Sequence, residues 1–302
     1  MKATRVVTLA NDIVRLQFLA MERSLRATGC DLPLHVIPYD ESRFPLPKNA
    51  EWLEDDELFA LVHSVDAVPL CRKYLAFTVS NSAFFDCDII HIRDPRVWLA
   101  PLPEDVFVVA DTEWNKTRWT FTKETGELYA AKTTLWLLDN FNSGFFAQGN
   151  ALVSFENIKT MLTDPRNWKL RKGKLPSSGE QPGANLLIHQ SGAKVINLCL
   201  PPYRMESTMA GDYPAAYESI LSGPHGPAFI HYAGVGRNLD APVARLIFEH
   251  LNQEEAAEMR MDFEKKKRRR EREGRWPIWV RVASRIVSLL DDRFCIRWRD
   301  GV

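Results

Sequence analysis

"SAFFDCDIIHI", residues 82–92, places Asp86 and Asp88 one residue apart inside an otherwise apolar run. Asp is a common turn residue, but Ala83, Phe84 and Phe85 precede the pair, Ile89 and Ile90 follow it, and no Gly or Pro interrupts. These flanks read as a buried strand running into its own polar end. Two unpaired carboxylates beside such a strand are strongly unfavourable unless they sit at its tip or share a cation. Residues i and i+2 of a strand point to the same side, so Asp86 and Asp88 are expected to aim at one point. A divalent metal carrying a phosphate suits that point, because hard cations prefer oxygen ligands.

Working outward, strands and helices alternate. "TRVVTLA" (4–10) is a short apolar β-rich run, and Asn11 and Asp12 are suited to cap a helix over 13–28 that Gly29 ends. "LPLHVIPYD" (32–40) predicts a second strand, 51–62 and 70–80 predict helices, and "DVFVVAD" (105–111) another strand. "FNSGFFAQ" (141–148) leads to a helix over 151–163, and "KLPSSGEQPGAN" (174–185) is rich in turn residues. "KVINLCLP" (194–201) and "PAFIHYAG" (227–234) are late short strands. Such alternation predicts an α/β fold, a mostly parallel sheet covered on both faces. Ligands of these sheets bind beyond the carboxyl ends of the strands. Asn11, Asp12, Asp40, Asp86, Asp88, Asp111 and His231 all fall at predicted strand ends, which fits one shared site.

Composition narrows the class. The chain of 302 residues is 45 % hydrophobic and 26 % charged, as expected of a globular protein with one large or two small domains. Lys+Arg 39 balances Asp+Glu 39, but residues 265–302 hold 13 Lys/Arg against 5 Asp/Glu, so an acidic body carries a basic tail. The five cysteines (Cys30, Cys71, Cys87, Cys199, Cys295) are scattered without metal-ligand spacing and suit a reducing compartment. The N-terminus lacks the apolar core of a signal peptide, and no run reaches the roughly 18 apolar residues of a membrane span. A cytoplasmic location is expected.

The ordered set "VVTLAND" (6–12), "FFDCDII" (84–90), "FNSGFFA" (141–147), "EQPGANLLI" (180–188) and "FIHYAGVGR" (229–237) resembles the GT-A nucleotide-sugar glycosyltransferases. It is most similar to glycosyltransferase family 8, which includes glycogenin and bacterial lipopolysaccharide hexosyltransferases. The resemblance covers residues 4–237 and implies a GT-A catalytic domain over 1–240, followed by a helical basic extension over 241–302. It also implies transfer of a hexose from a UDP-sugar to a glycan or lipid-linked acceptor, with retention of configuration. Asp86 and Asp88 match the D-x-D motif, with Cys87 between them, and His231 matches the late histidine of the metal shell. The implied ion is Mn²⁺ or Mg²⁺, and the imidazole favours Mn²⁺.

Further matches are carried over in the same way. Leu9, Ala10 and Asn11 match the strand end that cradles the nucleoside, where the family often has Asp in place of Asn11. Lys73 or its neighbour Arg72 matches a basic residue near the donor. Asn142, Ser143 and Gly144 match the N-[SA]-G turn facing the donor sugar. Glu180, Gln181 and Asn185 match a segment that begins with Asp in the family; Gln181 lies at the sugar's reacting face, so Gln181, Glu180 and Asn142 are the catalytic candidates. Gly234 and Arg237 match the diphosphate-contacting segment, with Arg in place of the usual lysine.

The tail stands apart. "EKKKRRREREGR" (264–275) has eight basic and two acidic residues from Lys265 on, and "WPIWVRVASRIVSLL" (276–290) follows it. Read as a cationic, Trp-bearing amphipathic helix, residues 265–290 suit an anionic membrane surface, and packing against protein is the competing reading. Nucleic acid is not an expected partner, since the body is acidic and no aromatic platform accompanies the charge. Two other functions stay open: a sugar-nucleotide-binding scaffold without turnover, and a nucleotidyltransferase, whose Gly-rich phosphate loop is missing after the first strand.

Overall fold

Two apolar layers sandwich one sheet, and the sheet's carboxyl edge carries the polar residues. The computed structural model describes residues 1–112, 114, 127, 140–167, 180–213, 226–233, 239 and 242–275, the side chains of the last helix to residue 268. Strand β1 (Arg5–Ala10) leads through Asn11 and a single 3-10 turn into helix α1 (Arg15–Ala27). Asn11, not Asp12, supplies the cap: its side-chain oxygen accepts from Val14 N. Strands β2 (Leu34–Pro38) and β3 (Ala50–Trp52) follow, then helix α2 (Asp56–Ser64) capped by Asp55. The expected helix over 51–62 therefore begins as the end of β3 and is helical only from Asp56. The segment expected as a helix over 70–80 is a 3-10 helix, Pro69–Thr78.

The run 82–92 divides. Strand β4 (Ser82–Phe85) ends before Asp86, a turn closed by Ile89 N donating to Asp86 O (3.1 Å) follows, and strand β5 (Ile89–His91) begins afresh. The pair of aspartates thus sits in the turn that the apolar flanks argued against. The flanks are apolar because each belongs to a separate buried strand.

Helix α3 (Pro95–Leu99), strand β6 (Val106–Val109), strand β7 (Phe145–Gln148) and helix α4 (Phe155–Thr163) continue the chain. Only the second half of "FNSGFFAQ" is strand. Glu180–Asn185, expected within a loop, open helix α5 (Glu180–Gln190). Strand β8 (Lys194–Asn197), strand β9 (Phe229–His231), helix α6 (Arg245–Phe248) and helix α7 (Gln253–Arg275) complete the described elements. The chain forms two compact units, Met1–Asn252 and Gln253–Val302.

The main sheet has seven strands in the order β3-β2-β1-β4-β7-β6-β8, all parallel except β7, which runs against both β4 and β6. The mostly parallel expectation holds. Strands β5 and β9 form a separate antiparallel pair with Ile89 opposite His231. Alternate residues of β4 and β7 feed opposite faces. Phe84 and Phe146 stack at 4.8 Å on one face with Phe77 and Phe107, while Phe85 and Phe145 meet at 5.0 Å on the other with Trp98 and Phe229. Each buried phenylalanine contributes about 2 kcal/mol of apolar transfer, so the strands flanking the turn are firmly anchored. Among the described residues, no helix is long and apolar enough to cross a membrane.

Candidate active site

Backbone bonds hold the turn after β4 from two sides and fix His231 beside it. Asp86 N donates to Gly144 O (2.7 Å), Tyr232 N donates to Asp88 O (3.0 Å), and His231 N donates to Thr208 O (2.7 Å). Two segments remote in sequence are thereby stitched to the aspartates by backbone alone. The result brings Asp86, Asp88 and His231 together, one ligand atom from each within 4.8 Å of the others. His231 Nε2 lies 3.3 Å from Asp88 and 3.8 Å from Asp86.

Gly144 makes room for the imidazole. A Cβ at this position would fall 2.1 Å from His231 Cε1. Its φ lies outside the left-handed region, so close approach, not turn conformation, demands glycine here.

Behind the aspartates lies a buried charge cluster. Lys73, 2 % exposed, places Nζ 2.9 Å from Asp86 and 3.5 Å from Glu180, and also donates to Ser143 O. Its neighbour Arg72 turns away, donating to Pro38 O and pairing with Glu41, so Lys73 is the basic residue of the site. Ser143 Oγ donates to Glu180 Oε2 (3.2 Å), while the other oxygen of Glu180 is buried without a hydrogen-bond partner. Burial pushes the carboxyls of Asp86 and Glu180 above their usual range against the pull of Lys73. Burial opposes ionisation of Asp88 too, but His231 outweighs it and holds that carboxyl low. Burial would lower the imidazole of His231; the adjacent Asp88 and Asp86 reverse this and raise it. The ammonium of Lys73 is likewise held charged, against its burial, by Asp86 and Glu180.

The donor set fits a divalent cation. Two carboxylates and an imidazole converge, a mixed oxygen and nitrogen set that suits Mn²⁺ better than Mg²⁺. The orphaned Glu180 oxygen further shows a polar pocket with an unmet acceptor.

The remaining candidates take distinct places. Asn142 Oδ1 accepts from Gly144 N (2.8 Å), shaping the turn, and its own N–H donates to Asp111 Oδ2 (2.8 Å). Asp111, at the end of β6 and 2 % exposed, belongs to the site; its strand-end position was the only signal for it. Gln181 Oε1 faces Ser143 N at 3.5 Å. The Asn185 amide both accepts from Phe141 N and donates to Phe141 O, which clamps α5 to the N-S-G segment. Leu9 and Ala10 are buried in β1, and the buried Asn11 donates to Asp40 Oδ2 (2.7 Å). Cys87 is half-buried, its thiol pushed up by burial and by the two aspartates. Gly234 and Arg237 lie outside the described residues, as do most of 112–140 and the basic segment beyond 275.

No family model and no curated protein sequence matches the chain. Solved structures do match. The apo structure of the bifunctional glycosyltransferase WbbM superposes with a TM-score of 0.53 at 14 % identity, over 86 % of this chain and 51 % of that one. The galactosyltransferase LgtC, in complex with donor and acceptor sugar analogues, gives 0.51 at 14 % identity over 83 % and 98 %. This is the GT-A fold. An active-site mutant of LgtC gives the same TM-score at 13 % identity. The chain spans about half the length of WbbM and nearly all of LgtC, and within the GT-A fold its acidic turn lies at the carboxyl edge of the sheet.

Proposed function

We propose that the chain is a metal-dependent glycosyltransferase moving a hexose from a UDP-sugar to a glycan or lipid-linked acceptor, with retention of configuration. The observation that carries this reading is the convergence of Asp86, Asp88 and His231 beyond β4 in a GT-A fold. These three would hold Mn²⁺, or Mg²⁺ in its place. A bound cation supplies neutralisation of the diphosphate as it departs with growing negative charge.

The chain's own groups do the rest. Lys73 adds a buried positive charge behind Asp86, fixing one metal ligand while remaining charged. Glu180, turned by Ser143 and Lys73, keeps one oxygen free to accept a sugar hydroxyl. Gln181 carries an amide, a poor nucleophile, so displacement on the face from which the diphosphate leaves is favoured over a covalent intermediate. Asn142 and Asp111 position the turn that brings Ser143 and Gly144 to the sugar. The basic residues from 265 on are assigned to an anionic membrane surface, where lipid-linked acceptors lie, on the cytoplasmic side.

The test is isothermal titration of UDP and GDP with Mn²⁺ and with EDTA, beside the D86N/D88N double variant. Mn²⁺-dependent UDP binding that the variant loses, followed by turnover of a UDP-sugar, is the expected result. Tight GDP binding would overturn the donor class, and metal-dependent UDP binding without turnover on any donor and acceptor would favour a binding scaffold.

A further inference from the structure

Glu180 is gripped twice by neighbouring residues of one element. In the 3-10 helix Pro69–Thr78, Lys73 Nζ lies 3.5 Å from the Glu180 carboxylate. The next residue, Tyr74, donates its hydroxyl to the Glu180 main-chain oxygen at 2.9 Å. Both side chains are buried. The Tyr74 oxygen also accepts from Cys71 Sγ (3.6 Å), which leaves its own hydrogen for Glu180.

The hydroxyl needs a gap in α5, and Gly183 supplies it. A Cβ at Gly183 would fall 2.1 Å from the Tyr74 oxygen. Backbone conformation does not ask for glycine there, since Gly183 has no left-handed φ, and glycine inside a helix is otherwise unfavourable. Tyr74 and Gly183 therefore fit as a pair, oxygen into gap. One residue on from Glu180, the Gln181 main-chain oxygen accepts from Asn185 Nδ2 (3.0 Å). The main chain of both residues is thus fixed by side chains at the start of α5, while Glu180 Oε1 stays without a hydrogen-bond partner. A slip or rotation of this first turn would carry Glu180 Oε1 and the Gln181 amide with it.

Resting on the glycosyltransferase reading above, we propose that Tyr74 is a positioning residue: its hydroxyl, seated against Gly183, sets the first turn of α5 and so aims Glu180 and Gln181 at the donor sugar. Misplacing reacting groups by about 1 Å costs on the order of a hundredfold in rate, so the anchor belongs to the reaction and not only to the fold.

The experiment uses the full chain with Mn²⁺. It measures UDP affinity by calorimetry, and kcat/KM for UDP release from UDP-glucose and UDP-galactose. Tyr74→Phe keeps the ring and removes the oxygen. It is expected to hold the UDP affinity within about twofold and to lower kcat/KM roughly ten- to a hundredfold. Gly183→Ala, which collides with the hydroxyl, is expected to lower kcat/KM at least as far on its own, but by no more than about threefold in the Tyr74→Phe background. The nearest atoms left there are the ring Cζ at 3.1 Å and Met161 Cε at 3.3 Å, which need to give by only a few tenths of an ångström. An unchanged kcat/KM in Tyr74→Phe overturns the assignment. So does a parallel fall in UDP affinity, which would make Tyr74 a support of the whole domain, and so do losses from the two substitutions that simply multiply. An unaltered protein that binds UDP but turns over neither donor overturns the positioning role alone; one that binds no UDP removes the glycosyltransferase reading as well.

Discussion

At the scale of single residues, the site depends on an atom that is missing. Gly144 leaves the space in which the His231 ring lies, and a methyl there would overlap Cε1 at 2.1 Å. His231 cannot step back easily, because its backbone is bonded to Thr208 and paired with Ile89. Gly144→Ala is therefore expected to lower Mn²⁺ affinity roughly tenfold or more, the scale of disturbing the groups that orient a ligand. Titration calorimetry checks this, and an unchanged affinity would show that His231 does not ligate. The sequence made legible the three groups that converge, since paired aspartates and a strand-end histidine are chemically conspicuous. It did not show why Gly144 is glycine, because the obstructing ring lies far along the chain. Nor did it choose between Arg72 and Lys73: adjacent residues of a 3-10 helix diverge, and only the partners Glu41 and Asp86 decide which is buried.

Elements were legible where one apolar pattern served one strand. The run 82–92 misled because hydrophobicity reports burial, not hydrogen-bonding partner. β4 pairs with β1 and β7 whereas β5 pairs with β9, and the change of partner is made in three residues without Gly or Pro. Strand β5 also carries a cost. His91 is 3 % exposed, edge-on to Phe85 at 4.5 Å, and neither ring nitrogen has a hydrogen-bond partner. Burial, with Arg26 and His250 nearby, lowers its pKa from 6.5 to about 3, Asp94 opposing weakly. A histidine whose folded pKa is depressed binds its proton first in the unfolded state, so stability falls as pH drops below the unfolded value. At about 1.4 kcal/mol per pH unit, the fold is expected to lose about 2 kcal/mol between roughly pH 6.5 and pH 5. Urea unfolding at both pH values measures it. His91→Leu should flatten the dependence, and an equally steep loss in that variant would place its origin elsewhere.

For the whole molecule, zero formal charge conceals a division that neither the sheet nor the site requires. Helix α7 begins with Glu254 and Glu255 and becomes basic from Lys265, and Arg260, Lys265, Lys266, Lys267 and Arg268 are exposed. Pairs such as Lys266 with Asp262 and Lys267 with Glu264 occupy the junction, but from Lys265 to Arg275 the bases outnumber the acids eight to two. Like charges so close repel one another, at a cost a helix bears readily only if a partner relieves it. An anionic bilayer provides that relief at about 1 kcal/mol per basic residue near the headgroups, within a Debye length of about 8 Å at physiological salt. The chain is accordingly expected to sediment with phosphatidylglycerol vesicles at low salt, to ignore phosphatidylcholine vesicles, and to be released by about 0.5 M salt, where screening is nearly complete. Replacing Lys265, Lys266, Lys267 and Arg268 by Gln should abolish the binding and leave Mn²⁺-dependent UDP binding intact, because the candidate metal site is built from Asp86, Asp88 and His231. Binding that survives both the salt and the Gln replacements would have to arise from apolar contact, and the charge division would then need another explanation.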